Sequence, residues 1–213
     1  MVYTRKRTYG RRTVYRKRYN PQRRFIRRIA QKVVDKNVET KYKDLTISGT
    51  ASSTTFYGVH FNLPSQIPVG SGFDNRVGNR IKLLGYRYHL QVSPGDNFNV
   101  FRLLMVSRRD CQDIASTSAV TSLLGPINTD IFYAHKDVIA ETRFAPVAGS
   151  TADTVGIKRF YKGYVKLNRY IEYSGAASYP TKGISIGMQF HSDSAIIPHP
   201  GVEGYIRVYY KDA

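Results

Sequence analysis

Hydrophobic and polar positions alternate with a period of two along much of this chain, most cleanly near its end. Ile184, Ile186, Met188 and Phe190 are interleaved with Ser185, Gly187, Gln189 and His191. Ile206, Val208 and Tyr210 are interleaved with Tyr205, Arg207, Tyr209 and Lys211. Each pattern predicts a strand. Tyr57, Val59, Phe61 and Leu63 give a third, and Leu45 and Ile47 mark a weaker strand over 45–49, expected to neighbour the third in one sheet. Over 81–92, Ile81 and Leu83 share a face that Leu84, Tyr86, Tyr88, Leu90 and Val92 then take over, so a β-bulge is expected beside Gly85. The run 100–106 is apolar except for Arg102, which predicts a strand covered on both faces or close to a subunit contact. A long strand basic on one side is expected over 157–173. The stretch 131–144 is mixed and is expected to contain a turn or irregular piece, 116–124 to form a short helix, and 64–79 to be a loop.

Eight strand segments without long helical crossovers predict an antiparallel all-β domain, either a sandwich or a barrel. Eight is the jelly-roll number, so the expected fold is an eight-stranded antiparallel jelly roll over residues 37–213. A basic N-terminal arm, residues 1–36, precedes it and includes a short amphipathic helix. Of the 213 residues, about 180 remain for the body, enough for one domain with a full core. Seventeen Tyr and ten Phe with no Trp favour strands. A single cysteine, Cys111, excludes an internal disulfide framework and a cysteine-based zinc site. No apolar run approaches a membrane span, and membrane insertion is not expected.

Charge changes the picture most. Thirteen of the 33 basic residues and none of the 15 acidic ones lie in the first 34 positions, so the arm carries +13 of the net +18. Arg5, Lys6, Arg7, Arg11, Arg12, Arg16, Lys17 and Arg18 come in clusters separated by Thr, Tyr and Gly. Like charges this dense repel, and too little apolar surface accompanies them to offset ordering entropy, so a largely disordered segment is expected. Tyr3, Tyr9, Tyr15 and Tyr19 fall between the clusters, either as stacking groups for unpaired bases or as spacers. From Asn20 and Pro21, a cap residue and a first-turn residue, a short helix is expected to run to Lys36. Phe25, Ile29 and Val33, with Ile26 beside them, form its apolar stripe, and Arg23, Arg24, Arg27, Arg28 and Lys32 fill the other sides. Such a helix suits a membrane surface, nucleic acid or a sister subunit. The absence of an apolar core after the basic residues argues against a signal peptide, whereas the basic clusters suit a nuclear import signal. The arm therefore reads as a low-specificity binder of single-stranded nucleic acid through its thirteen Arg and Lys side chains.

Catalytic signatures are missing. Gly70-Ser71-Gly72 lacks the third glycine of a dinucleotide loop, and neither a phosphate-binding Gly-Lys-Ser/Thr nor a Gly-x-Ser-x-Gly elbow occurs. His191, Ser192, Asp193 and His199 form the only histidine cluster and read as a strand-end loop with ordinary hydrogen bonds. Asp96, Asp110, Asp113, Asp130 and Asp153 read as solvated turn residues rather than calcium ligands. No enzyme activity, metal or cofactor is expected. Lys158, Arg159, Lys162, Lys166 and Arg169 form either a nucleic-acid face or simply the solvated side of a strand.

Several segments resemble the coat proteins of small circular single-stranded DNA viruses that encode a replication initiator, in particular the circovirus-like subgroup whose coats resemble that of satellite tobacco necrosis virus. The opening Met1-Val2-Tyr3-Thr4-Arg5-Lys6-Arg7 is similar in style to the circovirus arm. Arg76-Val77-Gly78-Asn79-Arg80-Ile81 resembles an Arg-x-Gly-x-x-Ile segment, and the strand closing on Arg108-Arg109-Asp110 resembles the central strand of that subgroup. Phe132-Tyr133-Ala134-His135-Lys136-Asp137 and the terminal Ile206-Arg207-Val208-Tyr209-Tyr210-Lys211-Asp212 fit the later pattern. The resemblance implies a virion protein that self-assembles into a small icosahedral T=1 shell of 60 copies and packages genomic DNA through its arm. It further implies passage through the host nucleus during assembly, with an import receptor and a cell-surface receptor as partners. The competing readings are a monomeric RNA-binding protein of ribosomal type and the coat of a small RNA satellite virus. A lectin or enzyme on the same body would leave the arm unexplained.

Overall fold

The computed structural model describes residues 21–60, 66–146, 154–175 and 180–213. The chain divides between Val38 and Glu39 into two units, Met1–Val38 and Glu39–Ala213. Helix α1 (Pro21–Asn37) belongs to the first. The second contains, among the described residues, β1 (Lys41–Thr50), β2 (Tyr57–His60), β3 (Arg80–Ser93), β4 (Phe98–Arg108), β5 (Phe132–Pro146), β6 (Thr154–Ile157), β7 (Arg159–Tyr173), β8 (Pro180–Lys182), β9 (Ser185–Ser192) and β10 (Gly201–Asp212).

Two antiparallel sheets are formed, with orders β1-β10-β3-β7-β8 and β2-β9-β4-β5-β6. Strands equivalent in the two orders are chain neighbours in turn: β1 with β2, β3 with β4, β9 with β10, and β5 with β7 across the short β6. This double Greek-key winding is the eight-stranded jelly roll, with β8 and β6 added as short edge strands. The segments around Leu45 and Tyr57 thus lie in different sheets, not in one. The chain crosses between them after β1, where Ser52 Oγ accepts from the Thr54 and Thr55 amides and Ala51 N donates to the Pro200 carbonyl.

The core fills the space between the sheets. Ile81, Leu83, Tyr86, Tyr88, Leu90 and Val92 of β3 face Phe101, Leu103 and Met105 of β4 and Ile186, Met188 and Phe190 of β9, all buried. Each such side chain removed from water contributes roughly 1.5–3 kcal/mol before ordering entropy is counted. The change of face over β3 is a bulge: pairing with β7 jumps from Leu83 to Gly85. An ideal Cβ on Gly85 would sit 2.3 Å from the Val165 carbonyl oxygen and 2.7 Å from Tyr164 Oη, so only glycine fits.

Strand β4 is buried on both faces, as its apolar run requires. Its outer face, Leu104 and Val106, packs under a second cluster formed by Ile114, Ala119, Val120 and Phe132. The connection that supplies this cover is not the helix expected over 116–124; it makes one 3-10 turn, Ile114–Ser116, and then turns. Side chains take the backbone groups a helix would have used. Asp113 accepts from Ala115 N at 2.8 Å, while Gln189 accepts from Ala119 N at 2.6 Å and donates to the Ile114 and Thr117 carbonyls at 2.9 and 2.6 Å. The turn or irregular piece expected in 131–144 is present as the latter. β5 runs unbroken, and its irregularity is a bulge at His135, where pairing jumps from Met105–Lys136 to Val106–Ala134.

Arg76 has a structural role that its charge conceals. It is 0% exposed, lies 4.3 Å over the Tyr173 ring, and donates to the carbonyls of Gly78 and Gly175. Gly78, at φ +85°, supplies the left-handed turn that brings its own carbonyl back to that guanidinium.

Candidate nucleic-acid interface

Helix α1 presents both halves of its amphipathic pattern to solvent. Phe25, Ile26, Ile29 and Val33 are exposed, and so are Arg23, Arg24, Arg27 and Arg28. Arg23 and Arg27, like Arg24 and Arg28, stand four residues apart, where like charges oppose helix formation by about 0.2–0.5 kcal/mol a pair. A polyanion along that side would remove the penalty. Lys32 lies on the same helix. Arg5, Lys6, Arg7, Arg11, Arg12, Arg16, Lys17 and Arg18, together with Tyr3, Tyr9, Tyr15 and Tyr19, lie outside the described residues.

In the jelly-roll body, strand register builds a second cationic surface on the outer side of the first sheet. Residues paired across neighbouring strands share a face. Lys162 lies opposite His89 and His89 opposite Tyr205; Tyr164, Arg87, Arg207 and Asp44 form the next row; Lys166, Gly85, Tyr209 and Tyr42 the one after. Tyr170, Lys82 and Lys211 make a further row, with Arg80 and Glu172 beyond it. Among the described residues of this face the carboxylates are Asp44, Glu172 and Glu203, fewer than its lysines and arginines.

The aromatic rings hold the cations in place. Arg207 grips Asp44 through two bonds of 2.6 Å and lies 4.3 Å over the Tyr42 ring. Arg80 lies 4.4 Å over Tyr170, with Glu172 3.6 Å away. Tyr164 meets Tyr209 edge-on at 6.2 Å, and His89 stacks on Tyr205 with centroids 5.0 Å apart and planes 7° from parallel. Exposed ion pairs of this kind stabilise little, about 0–1 kcal/mol each. Their effect is to fix where positive charge and flat apolar rings stand side by side.

The expected row Lys158, Arg159, Lys162, Lys166 and Arg169 is split by this register. Lys162 and Lys166 belong to the outer face. Arg159 pairs with Val92 and donates from Nε to the Glu141 carbonyl at 3.0 Å, while Lys158 sits between β6 and β7. Arg169 pairs with Leu83 beyond the bulge and lines a cleft of about 860 Å³ with Arg80, Arg109, Lys166, Lys182 and Glu172. Sequence reasoning did not assign Lys82, Arg87, Arg207 and Lys211 to this face. The available signal was the polar half of the alternations in β3 and β10, which register joins to β7.

The histidine and aspartate clusters are taken up locally. His191 is buried and stacks on Phe56 at 5.3 Å; Asp193 Oδ1 accepts from Val100 N at 2.9 Å; Ser194 Oγ lies 3.0 Å from His199 Nδ1. Asp96 and Asp110 accept from the amides of Phe98 and Gln112, each two residues ahead. Among the described residues no group of three His, Cys, Asp or Glu side chains could hold a metal ion, and no helix is long and apolar enough to cross a membrane.

No protein-family model matches this chain, and no curated protein does. Among solved structures it is similar to a crystal structure of the 60-mer BFDV capsid protein, with 10% identity, 83% of this chain and 93% of that chain covered, and a TM-score of 0.38. An overlap that slight does not establish a common fold; the jelly roll rests on its strand order.

Proposed function

We propose that this chain is the coat subunit of a small single-stranded DNA virus, whose jelly-roll bodies tile a closed icosahedral shell and whose cationic arm holds the packaged genome. The observation that carries this reading is the pairing of an arm with +13 and no carboxylate to a jelly-roll body bearing a face of alternating cations and aromatic rings. Lys and Arg neutralise phosphates and release their counterions, while ring faces accept any base. Both contacts tolerate sequence, as packaging a whole genome demands.

Thirteen arm charges over the sixty places of the simplest shell make on the order of 780 positive charges, enough to offset a comparable number of phosphates. Subunit contacts can each be weak, because closed symmetry multiplies them. The protein works by binding and assembly, without catalysis.

Light scattering and electron microscopy of the purified protein test this directly. Spherical particles of megadalton mass that protect nucleic acid from nuclease are expected, and DNase against RNase digestion of the extracted contents identifies the genome. A 24.2 kDa monomer at every salt concentration and pH would overturn the proposal.

A further inference from the structure

We infer that the hollow bounded by Phe160 and His89 on the outer face of the first sheet is a binding site for one unpaired base of a single-stranded polynucleotide, with Lys162 on the adjoining phosphate. The inference rests on the polynucleotide-binding reading and adds to it a defined site on the folded body.

Phe160 is 74% exposed, although it lies within a β-strand whose core-facing positions are filled by other residues. It stands in register with Gln91, and Gln91 with Glu203; the neighbouring row is Lys162, His89 and Tyr205. Rows two residues apart along a strand are separated by about 6.6 Å, room for a flat ring to enter between them. The hollow there has a volume of about 550 Å³, within the range of small-ligand sites, roughly 300–1,000 Å³.

Its groups are arranged with polarity. Phe160 offers an apolar ring face, and His89, its ring held by stacking on Tyr205, lines the hollow from the neighbouring row. Gln91 and Glu203 lie at the edge, where an amide and a carboxylate meet the hydrogen-bonding rim of a base; the carboxylate favours amino donors such as that of cytosine. Glu203 also repels phosphate from that end. Lys162, with Arg87 in the following row, attracts it to the other. The nucleotide is therefore bound in one orientation, base toward Gln91 and backbone toward Lys162.

The test uses the full chain, a short fluorescent oligodeoxycytidine, and an abasic strand with the same number of phosphates. Phe160→Ala is expected to weaken the base-bearing strand about fivefold or more and to leave the abasic strand unchanged, with Phe160→Tyr restoring binding. Photocrosslinking from 5-iododeoxycytidine is expected on the peptides containing Phe160 or His89, which line the hollow. Equal losses with both strands, no loss with either, or crosslinks confined elsewhere would overturn the site while leaving arm-driven binding intact. Failure of both strands to bind wild-type protein at low salt would instead overturn the polynucleotide reading itself.

Discussion

Arg102 and Asp137 meet between β4 and β5 as a bidentate pair, Nε to Oδ1 at 2.9 Å and Nη2 to Oδ2 at 2.7 Å. The same guanidinium donates from Nη1 to the Leu123 and Gly125 carbonyls at 3.0 and 2.6 Å. The one charge in the apolar run of β4 thus fastens the β4–β5 connection over the sheet. Removing Asp137 leaves a buried guanidinium without its carboxylate. Asp137→Ala should cost about 1–3 kcal/mol, softened by the partial exposure of that carboxylate. Arg102→Met, which removes the charge and keeps the bulk, should cost less than Arg102→Ala. Urea midpoints of the three variants check the order, and equal midpoints for wild type and Asp137→Ala would contradict it.

The bulge at Gly85 sets a second expectation. A methyl group there meets the Val165 carbonyl, which is backbone and cannot swing aside. Gly85→Ala should destabilise the body by about 2 kcal/mol or more. Gly175→Ala is the contrasting control. Among the described residues no heavy atom lies within 4 Å of an added Cβ, and its φ of +57° opposes the change. Thermal unfolding of the two variants compares crowding with conformational strain.

Strand β3 shows how much of this was legible beforehand and why. Its apolar residues switch parity beside a glycine, and parity is a direct record of which side faces the core, so bulge and strand could both be read. The double burial of β4 could be read for the same reason. The cover over β4 could not, because 116–124 owes its shape to Gln189, some seventy positions away, and local propensity carries no trace of that bond. β8 escaped notice because three residues hold no period. The cationic face was half visible: the polar sides of β3, β7 and β10 were written in the alternation, but register decides that Lys162, His89 and Tyr205 form one row. The arm's charge needed no fold to be seen.

His191 gives the stability a pH dependence of known sign. Burial, with Arg102 adding repulsion, lowers its pKa from 6.5 to about 4. Its unfolded form binds a proton that the folded form refuses, so the stabilisation is full above pH 6.5 and is lost as pH falls toward 4. Integrated over that window the loss is about 3 kcal/mol, and burial of His60 and His135 acts in the same direction. His191→Phe, which keeps a ring against Phe56, should flatten the profile between pH 6.5 and 5. Urea unfolding across that range checks it; an unchanged slope would locate the dependence elsewhere.

Under the polynucleotide-binding reading, salt dependence separates a contribution of α1 from one of the face. Each phosphate neutralised on a single strand adds about −0.7 to the slope of log K against log salt. Replacing Arg23, Arg24, Arg27 and Arg28 together by Gln should therefore make the slope shallower by up to about 3. Far-ultraviolet circular dichroism should show the β-body unchanged, since these side chains are exposed. Titrations at several salt concentrations give the slope. An unaltered value would mean that these arginines meet no phosphate.

Assembly should depend on residues the fold itself does not use. Ile196 and Ile197 are 77% and 80% exposed, two adjacent β-branched side chains at the tip of the β9–β10 connection. The loop is held locally: Ser194 Oγ donates to the Ile196 carbonyl at 3.0 Å, and an added Cβ on Gly95 would meet the backbone of Pro198 and His199, so the β3–β4 turn packs closely against it. Ordered apolar groups presented to water in this way are characteristic of contact surfaces. Ile196→Asp with Ile197→Asp should leave the unfolding free energy from urea titration within about 0.5 kcal/mol of wild type, since both side chains are exposed. Under the coat reading the same pair should abolish particles, because a carboxylate repeated at every symmetric contact multiplies its penalty through the shell. Analytical ultracentrifugation of the double variant beside wild type decides it: stable subunits that no longer sediment as particles support the contact, and unchanged particles would place the subunit interface elsewhere on the body.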